Sequence, residues 1–229
     1  MQVSYVIFFL RGDIMKTNTF EISSTQLLEK LKSFSKQDYE KYNPIVLYGN
    51  SGTGKTYLLK TLCNTLKEKN EINSFRIFSA ETFLNDFLVS IKTAKIDEFR
   101  KTMRAYDALF IDDFEFLYNK QACQEELYFT INTLKEIGSI IIVASNENVK
   151  EMSNLIPKLQ NFFFQGLEIE IPFPSISFKK EIVKNILLKN KAELDSKEVI
   201  KICNRTDNLS ELVSFTNELL FIQDSISNK

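Results

Sequence analysis

Residues 49–56, Gly-Asn-Ser-Gly-Thr-Gly-Lys-Thr, constrain the fold of this chain more than any other segment of its sequence. They have the spacing of a Walker A motif, follow an apolar run at 45–48 and open a helical pattern. In that context glycines let backbone N–H groups converge on a phosphate, Lys55 reaches the β- and γ-phosphates, and Thr56 ligates Mg²⁺. The alternative is a chance glycine-rich turn. The predicted phosphate-binding residues are Gly49, Asn50, Ser51, Gly52, Thr53, Gly54, Lys55, Thr56 and Tyr57.

Five short apolar runs alternate with longer helical patterns along most of the chain. Because the runs are mostly non-alternating, we expect neither strand face to meet water, as in a parallel sheet covered by helices on both sides. The fold class is therefore α/β, with a small helical lobe after Ser175. The predicted strands are 45–48, 75–78, 108–111, 140–144 and 167–171; the predicted helices are 56–68, 80–92, 96–106, 123–137, 149–159, 177–189, 196–205 and 209–225.

Asp112 and Asp113 end the third apolar run and have the position of a Walker B pair. Such a pair places carboxylates at the carboxyl edge of a strand beside the phosphate loop. We expect Asp112 to hold Mg²⁺ together with Thr56, and Asp113 to orient an attacking water. Two acidic residues after a hydrophobic run are otherwise usually a solvated strand end, so the prediction depends on the Walker A motif upstream.

Composition excludes several kinds of function. Histidine is absent and the three cysteines are far apart, so the sequence indicates neither a zinc site nor a disulfide framework. The net charge of −1 gives no general attraction to nucleic acid or to anionic membranes. The apolar stretch at 3–10 is too short to span a bilayer and lacks the features of a signal peptide. A cytoplasmic protein without a membrane partner is therefore expected.

One local segment, 91–106, is basic enough to be considered for contact with a nucleic-acid backbone. It carries five cations against Asp97 and Glu98. A solvated helix face with ion pairs three and four residues apart explains the same pattern and is the favoured interpretation. The five cations are Lys92, Lys95, Arg100, Lys101 and Arg104.

With these landmarks placed, the chain resembles the AAA+ domain of the bacterial replication initiator DnaA over residues 19–226. The segments that carry the resemblance are 43–49 (NPIVLYG), 79–83 (SAETF), 106–113 (YDALFIDD), 124–134 (QEELYFTINTL) and 142–146 (IVASN). The resemblance implies a P-loop AAA+ parallel sheet flanked by helices, with a small C-terminal helical lid. We predict an N-terminal extension at 1–18, a nucleotide-binding core at 19–174 and the lid at 175–229.

The same resemblance assigns two further regions. Asn146 falls at sensor 1, which makes it the candidate for contacting the γ-phosphate or the attacking water. The basic helix 96–106 falls in the initiator-specific insertion, which in the family can contact single-stranded DNA.

At two positions where the family has an arginine that contacts the γ-phosphate, this sequence has another residue. Phe162 stands where the family has its arginine finger, and Ser210 stands at the sensor 2 arginine. Phenylalanine cannot stabilise charge on a phosphoryl group. Consecutive phenylalanines at 162–164 are usually core residues, but the family places this segment at a subunit face, so an apolar contact patch is the alternative.

The sequence ends at Lys229, where the family's helix-turn-helix domain would begin, so we expect no sequence-specific binding of duplex DNA. This organisation is similar to stand-alone relatives of the initiator such as Hda. Hda binds a sliding clamp through an N-terminal Gln-containing motif, of which residues 2–8 are a faint version. Hda acts by donating an arginine finger, so Phe162 puts that activity in doubt here.

The leading hypothesis is a DnaA-like regulatory protein of replication initiation that binds ATP or ADP with Mg²⁺ and acts through protein contacts. Its hydrolysis of ATP would be weak or partner-dependent. The expected partners are a DnaA-type initiator or another replication protein, with a sliding clamp and single-stranded DNA as weaker candidates. The alternative is a helicase-loader or transposition-type ATPase acting on DNA. A purely structural pseudo-ATPase would require the intact Walker residues to be vestigial.

Overall fold

The structure is a computed structural model and describes residues 24–152 and 154–227. The predicted N-terminal extension at 1–18, with its apolar stretch and the clamp-binding segment at 2–8, lies outside the described residues. Five strands form one parallel sheet in the order β2-β3-β4-β1-β5. They are β1 (Ile45–Tyr48), β2 (Phe75–Ser79), β3 (Ala108–Asp112), β4 (Ile140–Ser145) and β5 (Leu167–Glu170). The predicted α/β class with a parallel sheet flanked by helices is confirmed.

Helices precede, separate and follow the strands. Those before and between the strands are α1 (Ser24–Ser33), α2 (Lys36–Lys41), α3 (Lys55–Glu68), α4 (Ala80–Lys92), α5 (Ile96–Met103), α6 (Gln121–Glu136) and α7 (Pro157–Phe164). A short 3₁₀ helix, Phe114–Leu117, follows β3. Those after the last strand are α8 (Ile176–Asn190), α9 (Ser196–Arg205) and α10 (Leu209–Ser227).

Both faces of the sheet are buried, which explains why its strands read as continuous apolar runs. Ile45 and Leu47 of β1 pack into one core with α1, α3 and the C-terminal helices, whereas Val46 packs into a second core with α4, α6 and α7. The alternation follows from the two-residue period of a strand. Helices on both sides exclude water from the sheet.

The first of the C-terminal helices, α8, begins at a serine N-cap. The hydroxyl of Ser175 accepts a hydrogen bond from the backbone N–H of Phe178 and caps α8. Buried Lys179 donates from Nζ to the carbonyl oxygens of Cys203 and Thr206, at the end of α9. The chain changes here from alternating strands and helices to helices alone, while the division at 174/175 stays a prediction.

The predicted helix at 149–159 is wrong. The described residues of 149–156 form turns, and the helix runs from Pro157 to Phe164 instead. Side chains from distant segments bind the backbone here instead: Glu168 accepts from Val149 N (3.2 Å), and Gln124 accepts from Ile156 N (2.8 Å), a donor that a helix at 149–159 would pair internally. Pro157 suits the first position of a helix because its missing N–H would have no intrahelical partner there.

Candidate functional site: the P-loop cleft

Parallel pairing brings three predicted site segments to one edge of the sheet. β1 lies beside β4, with Tyr48 opposite Ser145, and β3 pairs with the other side of β4. The carboxyl ends of these strands are therefore neighbours. The P-loop follows β1, Asp112 ends β3, and Asn146 follows β4 directly. This edge is where ligands bind in open α/β sheets.

Lys55, the first residue of α3, is fixed within the P-loop. Its ammonium donates to the carbonyl oxygens of Gly49 (2.6 Å) and Asn50 (3.0 Å) and to Oδ1 of Asn146 (2.8 Å). The side chain is buried, and this burial lowers the pKa of Lys55, whereas the charge of Glu115 and the Asp112–Asp113 pair opposes the shift. Three acceptors from the P-loop and from the loop after β4 thus fix the position of the ammonium.

Gly52 and Gly54 are required by both backbone conformation and space. Their φ angles are +80° and +105°, which other residues rarely adopt. A Cβ atom at Gly52 would lie 2.5 Å from Cβ of Asn208, and one at Gly54 would meet the side chain of Leu209. The N–H of Leu209 donates to the carbonyl oxygen of Gly52 (2.8 Å). The start of α10 therefore rests directly on the P-loop.

The P-loop, the loop after β3 and the first turns of α10 enclose a cleft of ≈ 630 Å³, here called the P-loop cleft. Most of the predicted site residues line it: Ser51, Gly52, Gly54, Lys55, Thr56, Tyr57, Asp113 and Asn146. Sequence reasoning missed Lys60 and Val213 among the lining residues, and Ser210, at the sensor 2 position, lines it too. Gly49, Asn50 and Thr53 line a second cavity of ≈ 390 Å³, which Asn146 shares.

Two of the predicted binding residues have clear structural contacts. The hydroxyl of buried Thr53 donates to the carbonyl oxygen of Asn50 (2.9 Å), which closes the P-loop turn. The ring of Tyr57 packs edge-on against Phe178, with the ring centroids 5.9 Å apart, and its hydroxyl accepts from Asn185 (3.4 Å). Tyr57 thereby joins α3 to α8, on the wall of the cleft.

The two aspartates after β3 have different environments. Asp112 is buried, and its carboxylate accepts from the N–H of Asp113 (3.1 Å). Asp113 lies in the left-handed region (φ 50°) and lines the cleft. Burial, and then the charges of Asp112 and Glu115, raise the pKa of the Asp113 carboxyl above its usual range. A carboxyl with a raised pKa takes up a proton more readily, as a group that activates water must.

Asn146 has a partner that the sequence analysis did not single out. Glu115, in the 3₁₀ helix, accepts from Nδ2 of Asn146 and, at 3.4 Å, from its backbone N–H. Lys55 holds the other end of the same amide. In the sequence, Glu115 stands two residues after the predicted Asp112–Asp113 pair, and nothing there indicated that it would contact the loop after β4.

Phe162 is part of the protein core and cannot form an apolar contact patch. Its side chain is 3% exposed and packs against Tyr128 and Phe163. Phe163 is fully buried, and only Phe164 of the three is exposed. The interpretation of this segment as core is therefore correct for Phe162 and Phe163, and the alternative of an apolar contact patch is wrong for these two residues. Position 162 offers no cation either.

The basic segment is largely paired within the molecule. Arg100 donates to both carboxylate oxygens of Glu126, and Arg104 donates to the same carboxylate (3.1 Å). The Glu126 side chain is only 5% exposed. Lys95 lies 3.7 Å from Glu98. Lys95 and Glu98 form one of the expected pairs three residues apart, whereas the pairing of Arg100 and Arg104 with Glu126 of α6 was not expected. Lys92 and Lys101 are exposed.

The residues at this edge of the sheet have the chemistry to bind nucleotide phosphates and Mg²⁺. A fixed ammonium (Lys55), glycine backbone and the N-terminus of a helix favour anionic oxygens. A hydroxyl (Thr56) and a carboxylate (Asp112) are oxygen ligands of the type that Mg²⁺ prefers. The assignment of the metal to Thr56 and Asp112, and of catalysis to Asp113 and Asn146, stays a prediction.

Within the described residues, no helix combines the length and apolar character needed to cross a membrane.

A family model and the curated relatives identify the family of this chain. The family model of the bacterial DnaA ATPase domain matches residues 18–170. The chromosomal replication initiator protein DnaA of Borreliella burgdorferi is 36% identical over 169 residues, which are 74% of this chain and 34% of that protein. The chain thus spans about a third of the length of the curated relatives it matches.

Solved structures are similar as well. Domain III of the Thermotoga maritima replication initiation protein DnaA superposes with a TM-score of 0.80 at 28% identity, covering 90% of this chain and 87% of that chain. A replication initiator DnaA solved with AMPPCP and single-stranded DNA gives a TM-score of 0.66 at 29% identity, covering 86% of this chain and 58% of that chain.

Proposed function

Because this chain belongs to the family of bacterial DnaA ATPase domains, we propose that it is an ATP- or ADP-binding regulatory protein of replication initiation that acts through protein contacts. The observation that carries the proposal is the P-loop cleft, where Lys55 is hydrogen-bonded in place and α10 rests on the loop. The solved relative bound to AMPPCP supports the same ligand class here.

The roles of the cleft residues follow from their chemistry. Lys55 and the backbone N–H groups of the P-loop bind the phosphates, while Thr56 and Asp112 would hold Mg²⁺, which neutralises charge on the phosphates when bound. Asp113 faces the cleft and can accept a proton from water. The start of α10 covers the phosphate loop and excludes solvent from one side of it.

Hydrolysis by the chain alone is expected to be weak. Ser210 lines the cleft where the family has an arginine, and Phe162 is buried in the core where the family has its finger. An arginine supplied by a neighbour can raise turnover by orders of magnitude. We infer that such a cation must come from a partner, and a DnaA-type initiator is the first candidate. Contacts with single-stranded DNA would be weak, because Glu126 engages two of the five cations of the basic segment.

Steady-state ATP turnover, measured over a range of protein concentrations with and without a purified DnaA-type initiator, tests this proposal. Alone, the chain is expected to show low specific activity that does not change with its concentration, because self-association brings no arginine to the site. Added initiator is expected to raise turnover. Specific activity that climbs steeply with the chain's own concentration would contradict the regulatory role and point to a motor.

A further inference from the structure

Three side chains from separate parts of the fold form a continuous hydrogen-bonded chain beside the P-loop. Both carboxylate oxygens of Glu115 contact Asn146, one at the side-chain nitrogen Nδ2 and the other at the backbone N–H (3.4 Å). Oδ1 of the same asparagine accepts from Nζ of Lys55 (2.8 Å). A carboxylate, an amide and an ammonium thus follow one another from the end of β3 to the start of α3.

The chemistry of the two ends fixes the orientation of the amide between them. An ammonium can only donate, and a carboxylate can only accept. Asn146 must therefore direct Oδ1 to Lys55 and Nδ2 to Glu115. In this orientation Asn146 offers an acceptor to the Lys55 side of the cleft. Phosphate oxygens are acceptors too, so they can bond to the side chain of Asn146 only through Nδ2, one of whose two N–H groups already donates to Glu115.

Glu115 is also linked to the ammonium through one amide: Asn146 donates to the carboxylate of Glu115 and accepts from Nζ of Lys55. Lys55 is the residue expected to reach the β- and γ-phosphates. The negative charge of Glu115 is therefore placed where a terminal phosphate would interact, and both would compete for the same ammonium and the same amide.

We propose that Glu115 is a positioning residue that ties Asn146 to Lys55 and competes with the terminal phosphate for this pair, which lowers the preference of the cleft for ATP over ADP. The inference rests on the proposed function, because it requires a nucleotide in the P-loop cleft. Replacing Glu115 by glutamine keeps the length of the side chain and one acceptor but removes the charge. Replacing it by alanine removes the contact.

The hydrogen-bonded chain can be tested without any nucleotide. The side-chain amide resonances of Asn146, assigned by their loss in Asn146→Ala, are expected to move toward solvent-exposed positions in Glu115→Ala. Glu147→Gln is the control. Glu147 follows Asn146 in the loop, and its carboxylate accepts from the Tyr118 hydroxyl (2.9 Å). The variant therefore removes a negative charge close to Asn146 without removing a hydrogen bond to the Asn146 side chain. Unchanged Asn146 resonances in Glu115→Ala would refute the chain of contacts.

The competition is tested by calorimetric affinities for AMPPCP and ADP, each with Mg²⁺. In Glu115→Gln the ratio of AMPPCP to ADP affinity is expected to rise about fivefold, the size of a partly exposed charge interaction. Glu147→Gln should leave the ratio unchanged. An unchanged ratio in Glu115→Gln overturns the competition. If the wild type binds neither nucleotide, the proposed function fails and the competition fails with it, while the resonances of Asn146 still decide whether Glu115 positions that residue.

Discussion

At the scale of single residues, the ring of Phe162 is enclosed within the chain. It packs edge-on against Tyr128, with the ring centroids 6.3 Å apart, and against Phe163 at 6.0 Å. The ammonium of Lys135 lies 5.0 Å from its centroid. These contacts account for a phenylalanine at this position by packing alone. An arginine here would have to leave the core before it could reach a neighbouring subunit.

Phe162→Arg is therefore expected to destabilise the fold instead of restoring a finger. Loss of the buried ring and burial of a guanidinium should lower the free energy of unfolding by about 3–5 kcal/mol. Urea denaturation measures the loss. Phe164→Arg is the control, since Phe164 is 43% exposed, and it should change stability by less than about 1 kcal/mol. Equal stability of Phe162→Arg and the wild type would show that the ring is not in the core.

At the scale of elements, one carboxylate joins α5 to α6. Glu126 accepts from Arg100 and Arg104, and this pairing leaves the helix with less positive charge than its sequence implies. The charge-assisted bonds are short, 2.7 Å at the closest, and the carboxylate is nearly inaccessible. The two arginines thus hold α5 against α6. Because they are paired with Glu126, they are less available to a phosphate backbone.

Glu126→Gln is expected to release both arginines for contact with single-stranded DNA. Two added phosphate contacts should steepen the dependence of log affinity on log salt by about 1.4. Fluorescence anisotropy with a labelled oligonucleotide at several salt concentrations measures this slope. Glu125→Gln removes the same charge from the exposed face of the same helix and should not alter the slope. Identical slopes for the two variants would show that the arginines are unavailable for another reason.

The elements were predictable where local sequence decides them. Each strand was predicted to within one residue at each end, because burial on both faces makes a strand a continuous apolar run. The structure of 149–159 was not predicted correctly, because the hydrogen bonds to Gln124 and Glu168 that hold its turns involve distant segments. α1 and α2 were not predicted either. Most of the predicted Walker A residues line the P-loop cleft, while their roles stay predictions. The contact of Glu115 with Asn146 could not be predicted, because the two loops meet only in the folded chain.

At the scale of the whole molecule, the C-terminal helices close onto the phosphate loop. Leu209 bonds to Gly52, and Asn208 fills the space that a side chain at Gly52 would need. Residues of α8, α9 and α10 pack in the same core as β1 and α3. A ligand that moves the P-loop would therefore also move the start of α10.

Gly52→Ala tests this contact against Gly138→Ala. Both glycines have φ of +80°, so both variants incur the left-handed strain of about 1–2 kcal/mol. Only Gly52→Ala also forces a Cβ against Asn208, whereas a Cβ at Gly138 would lie 3.4 Å from its nearest neighbour, the carboxylate of Glu40. Thermal unfolding should show a larger loss for Gly52→Ala, by about 1–3 kcal/mol. Equal losses would mean that α10 does not rest on the P-loop in solution.

The central claim is that the P-loop cleft binds an adenine nucleotide through Lys55, and titration calorimetry with Mg²⁺ and ADP tests it most directly. The wild type is expected to bind one nucleotide, and Lys55→Ala to bind at least about tenfold more weakly, because the ammonium fixed among the P-loop carbonyls is lost. Lys67→Ala, which removes a lysine from the last turn of the same helix, should bind as the wild type does. Equal affinity in Lys55→Ala and the wild type, or no binding by the wild type, would contradict the account.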